Sequence, residues 1–313
     1  EQYVNTADQI WLNGEFVAWE DAKVHVLTHA MHYGTGVFEG IRAYETERGT
    51  AIFRHREHLE RLEASAKLYY MDLPYSREQI REATHELIAR TGFTSCYVRP
   101  LVWRGYGPMG LNPLDNPVEA MVAVWEWGAY LGEEGKRNGV RGRVSSYRRI
   151  SADSLIPHAK ACGQYLNSVL AKIESLKAGY EEAILLDDKG YVCEGSGENI
   201  FVVKDGAIST PPQAAAILDG INRKSCIQIA SDRGYEVVER NLVRAELALA
   251  DEVFLTGTAA ELTPLREIDD HPIGEGVPGP VTREIQAAFD DALHGRSPQY
   301  ADWLDLVPVP SGT

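Results

Sequence analysis

Short segments of alternating apolar and polar residues open the chain. Alternation over residues 10–17, with Asn-Gly at 13–14, predicts two strands joined by a tight turn, and a further strand is expected at residues 23–26. Two longer apolar and aromatic segments, residues 95–103 and 120–127, have the composition of buried strands. The first half of the chain therefore begins as antiparallel sheet.

Two amphipathic helical patterns lie between these strands. The first covers about residues 55–70. The second begins at Ser76, which has Gln79 three residues on as in a capping box, and it ends at Gly92. Local sequence thus specifies both ends of the second helix.

The apolar pattern lapses over residues 128–138. We expect a linker there, between a smaller N-terminal α/β domain at residues 1–127 and a larger C-terminal domain at residues 139–313. Beyond it, strands and helices alternate irregularly. Strands are predicted at 140–146, 236–239 and 253–256, and hairpin turns at 188–190 and 205–206. Helices are predicted at 164–178, 223–233, 245–250 and 280–293. Without serial βαβ units the fold class is α/β of the mixed (α+β) kind.

The chain is acidic, with 46 Asp and Glu against 31 Lys and Arg and a formal net charge of −15. This balance excludes a basic nucleic-acid-binding protein. The longest stretch without a formal charge, residues 24–38, is shorter than a bilayer span, so no membrane partner is expected. The N-terminus lacks the features of a secretory signal and the four cysteines are scattered like reduced thiols, so a cytoplasmic protein is predicted.

Several motif matches carry no chemistry in their context. Two G-x-G-x-x-G matches begin at Gly105 and Gly274, but neither lies between a strand and a helix as a dinucleotide site requires. Two pairs of histidines with two residues between them lack a cysteine or acidic partner in a recognised metal pattern: His29 with His32, and His55 with His58. No metal site is predicted.

Lys160 is the only residue with a formal charge between Ser154 and Ala171, in a chain where 25% of residues are charged. A lysine shielded from solvent and from charged partners can act as an amine nucleophile and form a Schiff base. The alternative is an exposed lysine between two buried elements. Composition alone leaves both interpretations open.

Further segments offer what a phosphorylated aldehyde would need. Residues 218–222 precede a predicted helix and residues 256–260 follow a predicted strand, and both are rich in small residues that expose backbone N–H groups to a phosphate. Glu194 supplies a carboxylate at the end of a hairpin strand. Together with a Schiff-base lysine, these features fit pyridoxal 5′-phosphate (PLP), whose ring nitrogen must stay protonated.

Four motifs carry a resemblance to a known family: Ala159-Lys160-Ala161-x-Gly163-x-Tyr165, Gly190-Tyr-x-x-Glu194-Gly-Ser-Gly-x-Asn199, Gly220-Ile-x-Arg223 and Thr256-Gly-Thr-Ala-Ala-Glu261. In this order and spacing the chain resembles the branched-chain aminotransferases of PLP fold type IV, over nearly its whole length. The resemblance implies a two-domain, D-amino-acid-aminotransferase-like fold with PLP between the domains. It also implies a homo-oligomer, a dimer or an assembly of dimers, in which a neighbouring subunit contributes to the pocket.

The resemblance assigns roles around the cofactor. It implies that Lys160 is the catalytic residue and carries PLP as a Schiff base, that Glu194 contacts the pyridine nitrogen, and that Tyr165 contacts the ring hydroxyl. Other implied cofactor-binding residues, mainly for the phosphate, are Arg61, Leu218, Gly220, Ile221, Asn222 and Thr258. Asn222 stands where the family usually has threonine, and asparagine also forms hydrogen bonds and caps helices.

A substrate pocket is implied as well. Tyr97-Val-Arg99-Pro is similar to the family's substrate motif. The same chain would add further pocket residues, namely Phe38, Gly40, Trp127, Tyr130, Thr258 and Ala259. The neighbouring subunit would contribute Tyr33, Met109 and Leu111.

The implied activity is transfer of the amino group of leucine, isoleucine or valine to 2-oxoglutarate, in two half-reactions through the pyridoxamine form. Alternatives on the same fold type are D-amino-acid or (R)-amine aminotransferases and aminodeoxychorismate lyase, and a PLP carrier would be a non-enzymatic alternative. Tyr97-x-Arg99 together with Gly110-Leu-Asn-Pro113 favours the branched-chain group. The expected partners are small amino acids and 2-oxo acids.

Overall fold

The computed structural model describes residues 6–128 and 130–308. The ends of the two predicted domains, residues 1–5 and 309–313, and residue 129 of the predicted linker lie outside this part. The chain forms two compact units. Unit 1 comprises described residues 6–127, 159–163 and 292–308, and unit 2 comprises 128, 130–158 and 164–291.

The described strands are β1 (Gln9–Leu12), β2 (Glu15–Ala18), β3 (Gly36–Phe38), β4 (Ile41–Thr46), β5 (Gly49–Phe53), β6 (Cys96–Arg104), β7 (Val118–Trp125), β8 (Val140–Arg148), β9 (Glu182–Leu186), β10 (Val192–Gly195), β11 (Asn199–Lys204), β12 (Ala207–Thr210), β13 (Val237–Glu239), β14 (Glu252–Gly257), β15 (Glu261–Ile268), β16 (His271–Pro272) and β17 (Leu304–Leu306). The helices are α1 (His29–Tyr33), α2 (His55–Leu68), α3 (Arg77–Thr91), α4 (Gly132–Asn138), α5 (Tyr165–Lys177), α6 (Ile221–Asp232), α7 (Arg244–Ala248) and α8 (Pro280–Leu293). None of the helices in the described part of the chain has the length and apolar character that a bilayer crossing needs.

Unit 1 is built on an antiparallel sheet in the order β17, β5, β4, β6, β7, β1, β2, with β3 pairing with β6. The predicted turn between β1 and β2 is confirmed. Asn13 and Gly14 have φ of 49° and 92°, the left-handed conformations that a two-residue hairpin turn needs. The central strands carry a fully buried apolar core that includes Ile41, Ile52 and Val98.

The helix predicted from its capping signals is also confirmed. Ser76 caps α3 by accepting from Gln79 N, and the Gln79 side chain accepts from Ser76 N. Gly92 ends the helix in the left-handed conformation. The capping box satisfies two N–H groups that the helix itself leaves unpaired, and the left-handed glycine stops the helix at its other end, so this element is specified by its own sequence.

A charged cluster fixes β17 to unit 1. Asp305 accepts hydrogen bonds from His55 Nδ1 (2.8 Å), His85 Nε2 (2.9 Å) and the guanidinium of Arg81 (2.6 and 2.8 Å). Burial opposes ionisation of Asp305, but these partners outweigh it and its pKa is lowered. The last described strand is therefore attached through side chains as well as through its pairing with β5.

Unit 2 contains a sheet in the order β10, β9, β8, β15, β14, β11, β12, β13, with β16 on β15. β10 also pairs with β11 at Glu194 and Asn199, so the strands from β10 round to β11 close into a ring. β8 runs parallel to β9 and β15, and β12 runs parallel to β13. Buried side chains such as Ile184, Ile200 and Leu255 form its core. Closure leaves these ring strands without free edges.

The predicted division into domains needs correction. Residues 128–138 are not a linker, because they belong to unit 2 and contain α4. The glycines in this segment suggested a break, but tertiary contacts hold the helix: Lys136 pairs with Glu261, and Gln286 donates to the Lys136 carbonyl (2.9 Å). Residues 159–163 and 292–308 belong to unit 1, although the sequence analysis placed them in the C-terminal domain.

The strand expected at residues 23–26 is also wrong. Lys23 N donates to the Asp21 carbonyl (2.8 Å) in a tight turn that follows a short 3-10 helix, Trp19–Asp21. Alternation over so few residues does not separate a strand from an extended loop.

Candidate active site

Lys160 lies in unit 1 beside the strand that carries Phe38. Its carbonyl accepts from Phe38 N (3.0 Å), and its own N–H donates to Ser65 Oγ on α2 (3.0 Å). The ammonium Nζ lies 5.0 Å from the centroid of the Phe38 ring. Backbone contacts thus fix the base of Lys160, and its half-buried side chain extends over an aromatic face.

Arg99 on β6 contacts the same aromatic ring. Its guanidinium carbon lies 4.7 Å from the Phe38 centroid, and Nη2 donates to the Tyr97 hydroxyl (2.9 Å). Arg99 Nε is buried without a hydrogen-bond partner among the described residues. A buried donor left unsatisfied is costly, and guanidinium groups bind carboxylates well. Arg99 is therefore a candidate for binding an anionic ligand.

Gly40 makes room for the Tyr97 side chain. A Cβ at Gly40 would lie 2.1 Å from the Tyr97 hydroxyl oxygen, so a larger residue would displace that ring. Tyr97 also packs edge-on against Trp127, with centroids 4.7 Å apart. The structure thus brings together in unit 1 a group of residues that the sequence analysis had assigned to the active site: Phe38, Gly40, Tyr97, Arg99, Trp127 and Lys160.

Arg61, predicted to bind the phosphate, is held by a buried carboxylate. Glu39 accepts from Arg61 Nε (2.7 Å) and Nη2 (2.9 Å), and His58 Nδ1 donates to it as well (2.7 Å). Burial opposes ionisation of Glu39, but the charge of Arg61 and the contacts of His58 outweigh it, so the pKa of Glu39 is lowered. Burial lowers the pKa of His58. An ionised Glu39 and a neutral His58 therefore fix the orientation of the Arg61 fork.

Tyr33, Met109 and Leu111 are exposed, and a buried histidine joins their segments. The Gly110 carbonyl accepts from His29 Nε2 (2.8 Å), and the His29 ring lies 4.6 Å from that of Tyr33. The loop after β6 is thereby attached to α1. The exposure of these three side chains is compatible with their predicted contribution to a neighbouring subunit.

Glu194 is the penultimate residue of β10 in unit 2, and both of its carboxylate oxygens are engaged. Oε1 lies 2.7 Å from Arg149 Nε, and Oε2 accepts from Leu218 N (2.9 Å) and Asn199 Nδ2 (3.4 Å). The side chain is 10% exposed. A fixed, charge-paired carboxylate of this kind can hold a proton on a neighbouring pyridine nitrogen.

The start of α6 presents a helix N-terminus without a side-chain cap. The helix begins at Ile221 after Gly220, and no described side chain caps its first N–H groups. Asn222 is buried, and its Oδ1 has no hydrogen-bond partner among the described residues. A Cβ at Gly220 would lie 1.9 Å from Asn199 Oδ1, so this position requires glycine. An uncapped helix N-terminus beside a buried amide suits a phosphate group.

The remaining predicted residues of unit 2 lie on three elements. Thr258 and Ala259 follow β14, and the Ala259 carbonyl accepts from Tyr130 N (3.4 Å). Tyr165 is the first residue of α5 and is half-buried. Tyr130 and Ala259 are therefore brought together within unit 2.

Comparison with known proteins identifies the family. Residues 36–268 match the family described as amino-transferase class IV. The chain belongs to the class IV aminotransferases. The branched-chain-amino-acid aminotransferase of Pseudomonas aeruginosa is 47% identical over 298 residues, which cover 95% of this chain and 97% of that protein.

Two solved structures of this family are similar in fold. The branched-chain amino acid aminotransferase of Escherichia coli has a TM-score of 0.95 and 48% identity, covering 96% of this chain and all (100%) of the other. The enzyme of Thermobaculum terrenum in its PLP form has a TM-score of 0.91 and 34% identity, covering 97% of this chain and 99% of the other. The predicted family and its mixed α/β fold type IV are confirmed, and this class IV aminotransferase belongs to a PLP-dependent family.

The residues present fit that cofactor. In unit 1 a half-buried lysine lies over an aromatic ring, and α2 carries a fixed arginine. In unit 2 a charge-paired carboxylate and an uncapped helix N-terminus meet the needs of a pyridine nitrogen and a phosphate. Asn222 provides a buried polar side chain at the start of that helix.

Several supporting residues escaped the sequence analysis. Glu39 and His58 hold Arg61, and Arg149 holds Glu194. Nothing in the local sequence marks them, because the contacts join separate elements of the fold. The one available signal is that Glu39 is the only residue with a formal charge between Val24 and Ile41.

Proposed function

We propose that this class IV aminotransferase transfers the amino group of branched-chain L-amino acids, leucine, isoleucine and valine, to 2-oxoglutarate. The observation that carries the proposal is the Arg99 guanidinium, whose buried Nε has no partner among the described residues and which lies among aromatic rings. Such a site offers apolar surface to an aliphatic side chain and a cation to a carboxylate. The names of the similar proteins support this activity over the same-fold alternatives.

Lys160 is the proposed catalytic residue. When bound, PLP supplies an electron sink for the bond-breaking at the amino acid Cα. Lys160 Nζ attaches the cofactor and, once released, moves a proton to and from the substrate carbon as general base and acid. The main chain of Lys160 is held by hydrogen bonds to Phe38 N and Ser65 Oγ, which restricts the positions that Nζ can reach.

The remaining assignments follow the chemistry of each residue. Glu194 keeps the pyridine nitrogen protonated, and Tyr165 donates to or accepts from the ring hydroxyl. The phosphate is bound by Arg61 and by the small-residue segments around α6 and β14, with Leu218, Gly220, Ile221, Asn222 and Thr258 as the residues concerned. The residues proposed for substrate binding are Tyr130 and Ala259 in unit 2 and, in unit 1, the aromatic group around Arg99.

Activity is tested by incubating the enzyme with PLP, leucine and 2-oxoglutarate and measuring glutamate. Formation of glutamate supports the transaminase. Pyruvate release from aminodeoxychorismate without glutamate formation would instead identify the lyase, and activity confined to D-amino acids or (R)-amines would identify the other aminotransferases. Retention of PLP without any turnover would leave only a carrier.

Attachment of the cofactor is tested separately. Borohydride reduction of the holoenzyme followed by peptide mapping should place the pyridoxyl group on Lys160, and Lys160→Ala should abolish turnover. A label on any other lysine of the chain would refute the assignment.

Arg99 is the residue that lets one pocket accept both substrates. The second carboxylate of 2-oxoglutarate needs a charged partner, whereas leucine needs apolar contact. Arg99→Leu should raise KM for 2-oxoglutarate far more than KM for leucine. Equal losses in the two half-reactions would show that Arg99 serves the carboxylate common to both substrates.

A homo-oligomer forms part of the proposal. The segment before α1, α1 itself and the loop after β6 expose large apolar side chains on connected parts of unit 1, including Val26, Met31, Tyr106, Met109 and Leu111. An apolar cavity of about 300 Å³ opens beside Met31. Monomers rarely leave such surface uncovered, and a second copy of the chain is the proposed cover.

Unit 2 exposes its own apolar stripe on α5: Leu166, Val169, Leu170, Ile173 and Leu176. This stripe would serve further assembly of dimers. Light scattering should give at least a dimer for the wild type, and Met31→Glu should shift it toward monomer. A monomeric wild type would refute the proposed homo-oligomer.

The four described cysteines are free thiols, which supports the further proposal that the enzyme works in the reducing cytoplasm.

A further inference from the structure

His29 is the buried residue of the short helix α1. It is 1% exposed, whereas Met31 and Tyr33 on the same helix are exposed. A ring withdrawn from solvent in this way needs partners for both of its nitrogen atoms. Nδ1 lies 2.8 Å from Thr35 Oγ1, and Nε2 lies 2.8 Å from the carbonyl oxygen of Gly110. Both nitrogens are therefore engaged by groups outside the helix.

The two partners decide which nitrogen of His29 carries the proton. A carbonyl oxygen only accepts hydrogen bonds, so Nε2 is the donor to Gly110. In the neutral ring Nδ1 is then an acceptor, and the Thr35 hydroxyl can donate to it. One proton on the ring thus satisfies both nitrogens, and the bond to Gly110 has a fixed direction.

The bond to Gly110 holds the tip of the loop after β6, residues 108–112. Among the described residues it is the one hydrogen bond that joins this tip to another element. Other hydrogen bonds of the loop lie within it or at its base, where Asn116 Nδ2 donates to the Gly105 carbonyl (3.1 Å). Gly110 itself has φ of 138°, a conformation that favours glycine. Without His29, the tip would be held by hydrogen bonds at its base alone.

The same ring packs against Tyr33, the last residue of α1. The two ring centroids lie 4.6 Å apart, with 34° between the ring planes. Tyr33 is exposed, and so are Met109 and Leu111 on either side of Gly110. One buried imidazole therefore fixes Tyr33 directly and the two apolar side chains through the residue between them.

We propose that His29 is a positioning residue for the substrate pocket of the neighbouring subunit. It holds Tyr33 and the loop tip in the arrangement in which they complete that pocket. The inference rests on the proposed function, which assigns Tyr33, Met109 and Leu111 to the neighbouring subunit. The two apolar residues would contact the aliphatic group of the substrate and take no part in bond making. Their displacement should therefore raise KM more than it lowers kcat.

The first test compares His29→Gln with His29→Asn. The glutamine amide nitrogen lies as far along the side chain as Nε2 and can still donate to Gly110, whereas that of asparagine corresponds to Nδ1, beside Thr35. We expect KM for leucine, and the Kd of the unreactive analogue 4-methylvalerate for the holoenzyme, to rise about fivefold in His29→Asn, the scale of one hydrogen bond. Both should rise less in His29→Gln, and kcat should change less than KM in each variant.

A control for the first test is His271→Asn. His271 is an exposed histidine on β16 whose Nδ1 also bonds to a main-chain carbonyl, that of Asp269 (2.7 Å). Its replacement should change neither KM nor Kd. Equal changes in His29→Gln and His29→Asn would show that the bond to the loop is not the cause, and would overturn the inference.

Hybrid dimers decide which subunit's active site His29 serves. Two differently tagged chains are combined so that each hybrid contains one His29→Asn and one Lys160→Ala substitution. The first hybrid has them on different chains. The second has both on the same chain, paired with a wild-type chain. The two hybrids contain the same substitutions, so a general loss of stability affects both, and each keeps one site with Lys160.

The two hybrids should differ in KM for leucine. In the first, the site with Lys160 receives Tyr33 and the loop tip from a chain with intact His29, so KM should equal the wild-type value. In the second, it receives them from the substituted chain, and KM should rise about fivefold. The opposite result would show that His29 serves its own subunit, and equal values would show no role in positioning. Either result would overturn the inference.

Failure of the proposed function gives different results. A monomeric wild type would overturn this inference together with the proposed homo-oligomer. An oligomeric wild type that makes no glutamate from leucine would instead refute the proposed activity, while the Kd of 4-methylvalerate in the His29 variants would still test the positioning role.

Discussion

Glu39 in unit 1 and Glu198 in unit 2 are buried to nearly the same degree, at 0% and 4% exposed, yet they differ in protonation. Burial raises the pKa of each carboxyl. For Glu39 the charge of Arg61 and the contacts of His58 reverse the shift, and its pKa is lowered. For Glu198 the neighbouring Glu182 adds to the effect of burial, and the pKa rises to about 8.

The difference lies in which carboxylate holds the nearby cation. Glu39 is in contact with the Arg61 fork. Lys172, the ammonium group beside Glu198, donates instead to Glu182, and Glu198 accepts a longer hydrogen bond from Gly197 N (3.1 Å). Burial makes a charge costly, but the arrangement of partners decides which of two buried acids remains charged.

The largest expected effect is on stability. Glu39→Gln should lower the free energy of unfolding by about 3 kcal/mol at pH 7, because it leaves the Arg61 guanidinium without its counter-charge. Glu198→Gln is the matched control: it exchanges a neutral acid for a neutral amide and should cost less than about 1 kcal/mol. Urea denaturation measures both, and equal costs would show that the two carboxyls do not differ as described.

The next effect is on pH dependence. Above the ordinary glutamate pKa of 4.5 the unfolded chain has lost a proton that folded Glu198 keeps up to about pH 8. Stability should therefore fall with rising pH across this window, by up to about 1.4 kcal/mol per pH unit. The free energy of unfolding, measured from about pH 5 to 8, should show this fall in the wild type, and the fall should be absent in Glu198→Gln.

In the same experiment, the contribution of Glu39 to the free energy of unfolding changes with pH in the opposite direction to that of Glu198. Its lowered pKa contributes stability above pH 4.5 that is lost as the pH falls below that value. Glu39→Gln should flatten the acid side of the profile and leave the slope on the neutral and alkaline side as it is. A change on the alkaline side would contradict the assignment.

A smaller effect is expected on cofactor affinity. Arg61→Lys keeps the charge but loses the planar fork that Glu39 orients, so the Kd for PLP should rise about tenfold. Titration of the apoenzyme with PLP, followed by absorbance, measures it. Arg56→Lys is the control, since Arg56 lies on the same helix and is 77% exposed. An unchanged Kd for Arg61→Lys would remove Arg61 from the phosphate site.

The smallest effect should come from a paired but exposed carboxylate. Glu86 and Arg90 form an i,i+4 pair on α3 with side chains 52% and 43% exposed. Glu86→Gln should change the free energy of unfolding by no more than about 0.5 kcal/mol, because solvent screens the pair. A cost close to that of Glu39→Gln would mean that pairing outweighs burial.

Elements with local signals could be predicted from sequence. The turn at Asn13, the caps of α3 at Ser76 and Gly92, and α8 with its bounds all follow from residues within one segment. The strands β4, β5 and β15 were missed. Their edges are set by pairing with strands that are distant in sequence, and their apolar runs alone do not distinguish a strand from a helix.

The candidate site shows the same limit. Lys160 could be singled out from its uncharged surroundings, and Glu194 and the α6 segment from their positions at element ends. The resemblance to a family supplied roles for most other residues. The residues that hold these groups in place, such as Glu39 and Arg149, could not be found, because their contacts join separate elements and leave no spacing in the sequence.

Unit 1 is discontinuous, and this has a consequence for synthesis on the ribosome. β5 lies between β4 and β17, so its outer backbone groups stay unpaired until residues 304–306 have been made, roughly 250 residues later. An open strand edge can pair with other chains during that time. The N-terminal part of the protein therefore cannot complete its sheet until residues 304–306 have been synthesised, and a nascent chain stalled before Asp305 carries an edge open to aggregation.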